Sequence, residues 1–197
     1  MSKPFSQACV NNQQAIAAAL QQLLVTSKNV LEIGSGTGQH AVYFGAQLPQ
    51  LQWHTSDRSE NHQGIQQWLD EADLNNVHQP LPLDVSQPQW PEVNVDAIFS
   101  ANSVHIMGWS EVEQLFAGVG QLLPVGGLLL LYGPFNYNNQ YTSDSNARFD
   151  LWLKQQNPVS AIRHFEAVNK LATDVDLELQ HDIEMPANNR ILCWCKR

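Results

Sequence analysis

Three glycines at alternate positions, Gly34, Gly36 and Gly38, follow the short apolar pattern 29–33 and precede a helical pattern. Because glycine has no Cβ, such a turn lets the backbone approach a ligand closely and present its amides. Glu32 lies two residues before the first glycine, which gives the spacing E-x-G-x-G-x-G. The stretch therefore combines backbone hydrogen-bond donors with one carboxylate that can receive a cationic group.

Three ligand classes compete for this turn. A nucleotide P-loop needs Gly-Lys-Ser/Thr at its end, but Gln39 and His40 follow Gly38. A dinucleotide fingerprint G-x-G-x-x-G fits only the first two glycines, because Gln39 stands at the third position. Glu32 also stands where a nicotinamide-dependent protein usually has an apolar residue. S-adenosylmethionine has no phosphate and carries an ammonium group for an acid to receive, so we predict it as the cofactor.

Two more acids support this prediction. Asp57 closes the second predicted strand, about twenty residues beyond the glycines, where a carboxylate accepts both hydroxyls of a ribose. Asp84 ends the third predicted strand, where it can accept from the adenine amino group while Val85 packs on the ring. The predicted cofactor-binding residues are Glu32, Gly34, Ser35, Gly36, Gly38, Asp57, Arg58, Asp84, Val85, Ala101 and Asn102.

Polar groups gather in the loops after the fourth and fifth predicted strands, where an acceptor would bind. His105 is the candidate general base, because an imidazole titrates near neutral pH; a structural histidine bonded to backbone is the open alternative. Arg148 and Asp150 are also open to interpretation as an ion pair at a helix start, and Trp109 could line the pocket. The predicted catalytic residues are His105, Asn102 and Tyr141, and the predicted substrate residues in these loops are Tyr132, Asn136, Asn146, Arg148 and Asp150.

The elements that must position these groups alternate between helix and strand. Helical periodicity covers 15–25, 39–48, 59–73, 111–123, 147–156 and 161–172, with Ser110 and Glu113 as a capping box for the fourth helix. Strand patterns cover 29–33, 51–57, 80–85, 95–102, 128–132, 175–185 and 190–196. The alternation predicts an α/β fold whose parallel sheet has helices on both faces. The last two strands, joined only by the turn "PANN", are predicted to be antiparallel.

Composition sets the broad class. The chain has 197 residues, 43% of them hydrophobic, and a net charge of −9 without a basic run, which argues against nucleic acid as a partner. No signal peptide or membrane span is expected, and three cysteines suit a reducing cytoplasm. Cys193 and Cys195 are interpreted as buried small residues, and no metal site is predicted. We expect one domain, with a helical cap (1–28), a cofactor-binding core (29–135) and an acceptor part (136–197); the oligomeric state stays open.

The motifs "LEIGSGTGQHAVYF", "PLDV", "SANSVHIMGW", "SNARFD" and "PANNR" carry a family resemblance. The chain resembles the class I S-adenosylmethionine-dependent methyltransferases, with their Rossmann-like seven-stranded sheet. It is similar, more narrowly, to a family of unknown function that includes methyltransferase-like protein twenty-six. That family tends to have Glu-Arg-Asn near its amino terminus, where this chain has Val10-Asn11-Asn12.

The resemblance implies methyl transfer to an acceptor that the family does not identify. It also implies that Asn189, in the motif "PANNR", binds substrate; by residue type alone Asn189 is an ordinary turn former. The stretch 100–103 lacks the Asp/Asn-Pro-Pro-aromatic signature of enzymes that methylate nucleic-acid bases. A small molecule is therefore the expected acceptor, with a protein side chain as the other possibility. A non-catalytic protein that binds S-adenosylmethionine or S-adenosylhomocysteine, and a nicotinamide-dependent oxidoreductase, are the alternative functions.

Overall fold

A computed structural model describes residues 3–197 of the chain. Its helices are α1 (Gln7–Leu23), α2 (Gln39–Gln47), α3 (His62–Ala72), α4 (Trp109–Leu122), α5 (Asp144–Gln156) and α6 (Phe165–Asp174). Its strands are β1 (Asn29–Ile33), β2 (Gln52–Asp57), β3 (Val77–Pro82), β4 (Ala97–Ala101), β5 (Leu128–Gly133), β6 (Phe135–Asn136), β7 (Arg163–His164), β8 (Leu177–Met185) and β9 (Asn189–Lys196). Short 3-10 turns cover Ser59–Asn61 and Pro186–Asn188.

Seven strands form one sheet in the order β3-β2-β1-β4-β5-β9-β8, and β6 and β7 form a separate parallel pair. β1 is parallel to β2 and β4, and β2 is parallel to β3. β9 is antiparallel to both β5 and β8. The predicted α/β fold, a mostly parallel sheet with an antiparallel edge pair and helices on both faces, is confirmed.

The chain groups into two compact units that divide after Ser100. In the first unit, the parallel register pairs Ile33 at the end of β1 with Ser56, one residue before the end of β2. Phe44, Trp53 and Phe99 form an aromatic cluster in the core of this unit, with ring centroids 5.4 to 5.8 Å apart. This packing holds α2 and the strands firmly, so the turn after β1 and the end of β2 are fixed beside each other.

In the second unit, β9 pairs with β5 from Leu128 opposite Cys195 to Gly133 opposite Arg190. Cys193 is buried, and burial raises the pKa of its thiol to about 12, while Cys195 is only partly buried. The interpretation as buried small residues is therefore confirmed for Cys193 and only in part for Cys195. No helix of residues 3–197 is both long and apolar enough to cross a membrane. The single-domain organisation with its three parts stays a prediction.

Several predicted boundaries were wrong. α1 begins at Gln7 rather than residue 15, since the Ser6 hydroxyl caps it by accepting from the amide of Cys9 at 3.4 Å. β3 begins and ends three residues earlier than predicted, so Asp84 lies two residues beyond it. The capping box of Ser110 with Glu113 is also wrong. α4 begins at Trp109, and the Glu111 carboxylate accepts from the Gly108 amide at 2.6 Å.

The second unit has two strands that were not predicted. Phe135–Asn136 and Arg163–His164 are only two residues each, and they pair in parallel. α6 therefore begins at Phe165, after the strand, instead of at residue 161. α5 begins at Asp144, three residues before its predicted start, because the Ser143 hydroxyl caps it by accepting from the Asn146 amide at 3.1 Å.

Candidate functional site

The glycine turn of the first unit has the backbone that its sequence predicts. Gly34, Gly36 and Gly38 have φ values of +75°, +58° and +88°, which L side chains rarely adopt. A Cβ on Gly38 would lie 3.0 Å from the Cα of Ile65, whereas a Cβ on Gly36 would meet no neighbouring atom within residues 3–197 closer than 4.0 Å. Space beside Gly36 is therefore open for a ligand, and Gly38 is required by packing as well as by conformation.

The Asp57 carboxylate lies against this turn. Its Oδ2 accepts a hydrogen bond from the Gly36 amide at 2.7 Å. Its Oδ1 accepts from the Arg58 amide at 2.8 Å and from the side-chain amide of Asn61 at 2.7 Å. A carboxylate has about four acceptor positions, so one remains for a further donor. Asp57 is 8% exposed, so its charge is well placed to bind a polar ligand strongly.

Glu32 lies beneath the turn and is buried. Its Oε2 accepts from the Ser35 hydroxyl at 2.8 Å and from the Trp53 indole at 3.2 Å. Burial raises the pKa of Glu32 to about 7, although these hydrogen bonds act in the opposite direction. The group is thus near its titration midpoint at neutral pH, and a cation bound beside it would favour the ionised form.

The remaining predicted cofactor residues of this unit differ in their roles. The Asp84 carboxylate accepts at Oδ1 from the amide and hydroxyl of Ser86, at 2.9 and 2.7 Å, and these bonds lower its pKa. Val85 beside it is buried. The Arg58 side chain is largely exposed and pairs with Glu60 at 3.1 Å, so its main-chain amide is the part that contacts Asp57.

Helix α1 and its N-cap contribute contacts to the start of α2, directly after the glycine turn, that sequence reasoning missed. The Ser6 amide donates to Gln39 Oε1 at 2.5 Å, and Asn12 Oδ1 lies 2.7 Å from His40 Nε2. Burial lowers the pKa of His40 to about 4, so the ring is neutral at physiological pH. Asn12 stands where the Glu-Arg-Asn pattern also has asparagine, directly after the departure at Val10 and Asn11. The signal available in the sequence was the pair of polar residues Gln39 and His40, which stand where a P-loop has lysine and which make these contacts.

In the second unit, the loop after β4 carries the candidate base. Ala101 ends the strand, and Asn102 follows with a φ of +59° while its amide donates to the Tyr132 carbonyl at 2.8 Å. His105 is buried and packs edge-on against Phe149, with ring centroids 5.4 Å apart. Burial, aided by the positive charge of Arg163, lowers the pKa of His105 to about 4. The imidazole is therefore neutral at physiological pH.

Asp150 is the centre of a bonded cluster in α5. Its carboxylate accepts from the Tyr141 hydroxyl at 2.7 Å, from Lys154 at 2.6 Å and from the Ile162 amide at 2.7 Å. Burial acts to raise its pKa, but these donors outweigh it and hold the pKa below its usual range. The predicted ion pair with Arg148 is wrong, because residues two apart on a helix do not face each other. The partner is Lys154, one helical turn later.

A cavity of about 320 Å³ lies within the second unit, beside this cluster. It brings together three residues predicted for catalysis or substrate binding, Asn136, Tyr141 and Asp150, and it is also lined by Trp109. Two other predicted residues use their amides within the fold. Asn146 donates to Thr142 and to the Asn188 carbonyl, and Asn189 donates to carbonyls of its own turn.

Two fully buried side-chain atoms, which belong to residues that line this cavity, have no hydrogen-bond partner within residues 3–197. They are Oδ1 of Asn136 and Nδ1 of His164. These residues are register partners in the β6·β7 pair. Sequence reasoning missed His164, since nothing local in the sequence indicates a strand of two residues.

The fold is that of several solved methyltransferases. Mitomycin 7-O-methyltransferase has a TM-score of 0.84 at 17% identity, over 96% of this chain and 54% of its own. Human N-acetylserotonin methyltransferase in complex with SAM has a TM-score of 0.81 at 14% identity, over 96% of this chain and 53% of its own. An O-methyltransferase family 2 protein from Planctomyces limnophilus in complex with apigenin has a TM-score of 0.75 at 15% identity, over 94% of this chain and 62% of its own.

At these identities the likeness establishes the class I methyltransferase fold. The chain spans between one half and two thirds of the length of these solved proteins. A family model described as "Protein of unknown function (DUF938)" matches residues 3–196, which is nearly the whole chain. The chain therefore belongs to this family of unknown function.

Proposed function

We propose that the chain is an S-adenosylmethionine-dependent methyltransferase that acts on a small-molecule acceptor, and that methyltransferase-like protein twenty-six is a relative. The observation that carries the proposal is the contact between the Asp57 carboxylate and the Gly36 amide, 2.7 Å apart. This contact connects two features: a glycine turn with open space for a ligand, and an acid at the end of the next strand. A nucleoside ligand needs both features.

The residues present fit this cofactor. The remaining acceptor position on Asp57 Oδ2 suits one ribose hydroxyl, and we expect a second to replace the Asn61 amide. Among the described residues, both hydrogen bonds to the Asp84 carboxylate go to Oδ1, which leaves Oδ2 for the adenine amino group. Glu32 near its titration midpoint suits an arriving ammonium group.

S-adenosylmethionine, when bound, supplies a methyl group that its sulfonium has already activated. The residues of the chain then have to align an acceptor with that carbon, and alignment of this kind is worth ~7–11 kcal/mol. A base is needed only when the nucleophile must lose a proton first. His105 is our candidate for that base, with Asn102 and Tyr141 as positioning partners, and its neutral imidazole at physiological pH is consistent with the role.

A small molecule is the acceptor that the chain supports best. The net charge of −9 disfavours nucleic acid, since phosphate contacts supply most of that affinity. The crystal structure of the similar Planctomyces protein is a complex with apigenin. Of the residues predicted to bind substrate, Asn136 and Asp150 line the cavity of the second unit, as does Tyr141. Cytoplasmic location stays a prediction.

Calorimetric titration of the purified chain tests the cofactor first. We expect one-site binding of S-adenosylmethionine and of S-adenosylhomocysteine, and none of NAD. Binding of NAD alone would support the oxidoreductase alternative, and no binding of any of the three would overturn the proposal. A screen of metabolite pools with methyl-labelled cofactor then separates the two remaining functions. Transfer of label to a small molecule identifies an enzyme, whereas binding without transfer to any pool identifies a regulatory protein.

A further inference from the structure

Residues 3–12, which we call the strap, contact the two helices that follow the predicted cofactor-binding strand ends. α2 begins directly after the glycine turn, and α3 begins shortly after Asp57. The strap is bonded to side chains of both helices. It therefore links the two parts of the chain that meet where the Gly36 amide donates to Asp57.

The first residues of the strap are held on α3. The Pro4 carbonyl accepts from the Trp68 indole at 2.7 Å. Lys3 Nζ lies 3.6 Å from the centroid of the same ring and pairs with the Glu71 carboxylate. Pro4 also packs closely on the helix, because a Cβ on Gly64 would lie only 2.6 Å from Pro4 Cγ. The start of the strap is thus fitted to this surface of α3.

The Gln39 carboxamide joins the strap to the glycine turn. Its Oε1 accepts from the Ser6 amide at 2.5 Å and from the Thr37 hydroxyl at 3.1 Å, while its Nε2 donates to the Ser6 carbonyl at 3.4 Å. Gln39 is buried. Because one oxygen bonds both the strap and a residue of the turn, a ligand that orders the turn also strengthens the hold on the strap.

Polar contacts hold the strap, and none of the side chains of residues 3–12 is buried. The buried residues of α1 are Ile16, Ala17 and Leu20, all beyond the strap. Segments with few buried apolar contacts open locally at a low cost in free energy. The strap can therefore detach while the rest of α1 stays packed.

We propose that the strap opens locally as a unit and that the cofactor binds only while the strap is fastened. Gln39 carries the coupling, since it bonds Ser6 of the strap and Thr37 of the turn. Coupling is reciprocal, so the bound cofactor stabilises the fastened strap by as much as the fastened strap favours the cofactor. The proposal rests on the proposed function, because its ligand is S-adenosylmethionine or the product S-adenosylhomocysteine.

Amide hydrogen exchange of the full chain, with and without S-adenosylhomocysteine, tests the coupling. A ligand that binds only the fastened form slows exchange through strap opening by a factor of one plus the ratio of its concentration to Kd. At a ligand concentration of about 100 Kd, the Ser6 amide should exchange about 100-fold more slowly. Amides on the unpaired edge of β8 are the control and should not change.

Calorimetry of the same samples separates the two proposals. Binding of S-adenosylhomocysteine with unchanged exchange at Ser6 would overturn the strap alone. Absence of binding would overturn the strap together with the proposed function.

Two variants loosen the strap on α3 and leave the glycine turn and its acid in place. Trp68→Phe keeps an aromatic ring and removes the donor to Pro4, so the Ser6 amide of the free chain should exchange up to about tenfold faster, which corresponds to one hydrogen bond. Gly64→Ala places a methyl group against Pro4 and should speed this exchange severalfold. A weaker helix cannot explain that result, because alanine favours a helix more than glycine does.

Trp152→Phe makes the matched substitution on the exposed surface of α5 and should leave exchange at Ser6 unchanged. Wild-type exchange at Ser6 in both Trp68→Phe and Gly64→Ala would show that the strap does not open as a unit and would overturn the proposal.

Discussion

The Asp57 carboxylate accepts a hydrogen bond from the Gly36 amide at 2.7 Å, and this bond ties the end of β2 to the turn after β1. Parallel pairing of the two strands brings these residues together although they are 21 positions apart in sequence. The bond orients the carboxylate before any ligand arrives. Pre-orientation of this kind lowers the entropic cost of binding, so Asp57 should contribute more to ligand affinity than a freely rotating carboxylate would.

Asp57→Ala should weaken S-adenosylmethionine binding about 100-fold or more. The variant removes hydrogen bonds to a charged acceptor, which are worth roughly 1.5–3 kcal/mol each, and ~1.4 kcal/mol corresponds to a tenfold change in affinity. Calorimetry of the variant measures the effect, and circular dichroism checks that it stays folded. Asp70→Ala removes the same charge from the exposed surface of α3 and should bind as the wild type does. Unchanged affinity of Asp57→Ala would show that the ribose assignment is wrong.

A pair of glycine variants separates the two roles of the turn. Gly38→Ala places a Cβ 3.0 Å from the backbone of Ile65 at a φ of +88°, so it should lower the free energy of unfolding by more than Gly36→Ala. The methyl group of Gly36→Ala meets no neighbouring atom of residues 3–197 closer than 4.0 Å, so the variant should cost only the left-handed conformation, ~1–2 kcal/mol. The larger effect of Gly36→Ala should be on cofactor affinity, because its methyl group would occupy space that we assign to the cofactor. Urea unfolding and calorimetry of both variants check this, and wild-type affinity in Gly36→Ala would contradict it.

The cofactor side could be predicted because its signals are local. Periodicity locates the strands, and with them the glycine turn after one strand and the acid at the end of the next. In parallel sheets of this kind, ligands bind beyond the carboxyl ends of the strands. The register of β1 with β2 then places Gly36 beside Asp57. Asp84 was predicted within the strand pattern 80–85, but β3 covers Val77–Pro82, so Asp84 lies in the loop two residues beyond the strand.

The second unit could be predicted less well, because its contacts are made over long distances in sequence by very short elements. The pairing of Asn136 with His164 joins residues 28 positions apart through strands of two residues each, too short to show alternation. The interpretation of Arg148 and Asp150 as an ion pair at a helix start is wrong, because helical geometry brings Lys154 to Asp150 instead. The local helix pattern was visible, whereas the amide of Ile162 that completes the cluster was not.

Glu32 should make stability depend on pH in an unusual direction. Its pKa in the folded chain is about 7, above the usual 4.5, so the folded state holds a proton that the unfolded state has lost between these values. The contribution of this group to the free energy of unfolding therefore falls as pH rises from 4.5 to 7 and is constant above, a total of roughly 3 kcal/mol. Glu32→Gln removes the titrating carboxyl and with it this pH-dependent contribution. Urea unfolding at pH 5 to 8 should show the variant gaining stability relative to wild type with rising pH.

The exposed Glu113→Gln on α4 is the control for that series and should follow the wild type at every pH. His40 and His105 both have lowered pKa values, so their contributions to the free energy of unfolding change with pH in the direction opposite to that of Glu32. These contributions cancel because each variant is compared with the wild type at the same pH. Parallel curves for Glu32→Gln and wild type would contradict the raised pKa.

The same carboxyl gives a test of the ammonium assignment. An ammonium group beside Glu32 favours the carboxylate and lowers its pKa, so cofactor binding near pH 6.5 should release a fraction of a proton. Calorimetry in phosphate and in Tris, which differ in ionisation enthalpy, measures this number. Glu32→Gln should bind without proton release. Equal enthalpies in the two buffers for the wild type would mean that the ammonium group is held elsewhere.

His105 should act as a weak base if it acts at all. Its pKa of about 4 keeps the ring neutral and ready at pH 7, but proton transfer is most efficient when the catalytic pKa lies near the working pH. With an acceptor from the metabolite screen, His105→Ala should therefore lose activity near the lower limit for general bases, about 10²-fold. The wild-type profile of kcat/KM should lack an acid limb at the usual histidine value of 6.5, because this ring gains its proton only near pH 4. Wild-type activity in His105→Ala would make the residue structural, and a wild-type limb at 6.5 that disappears in the variant would show that the ring is less buried in the working enzyme.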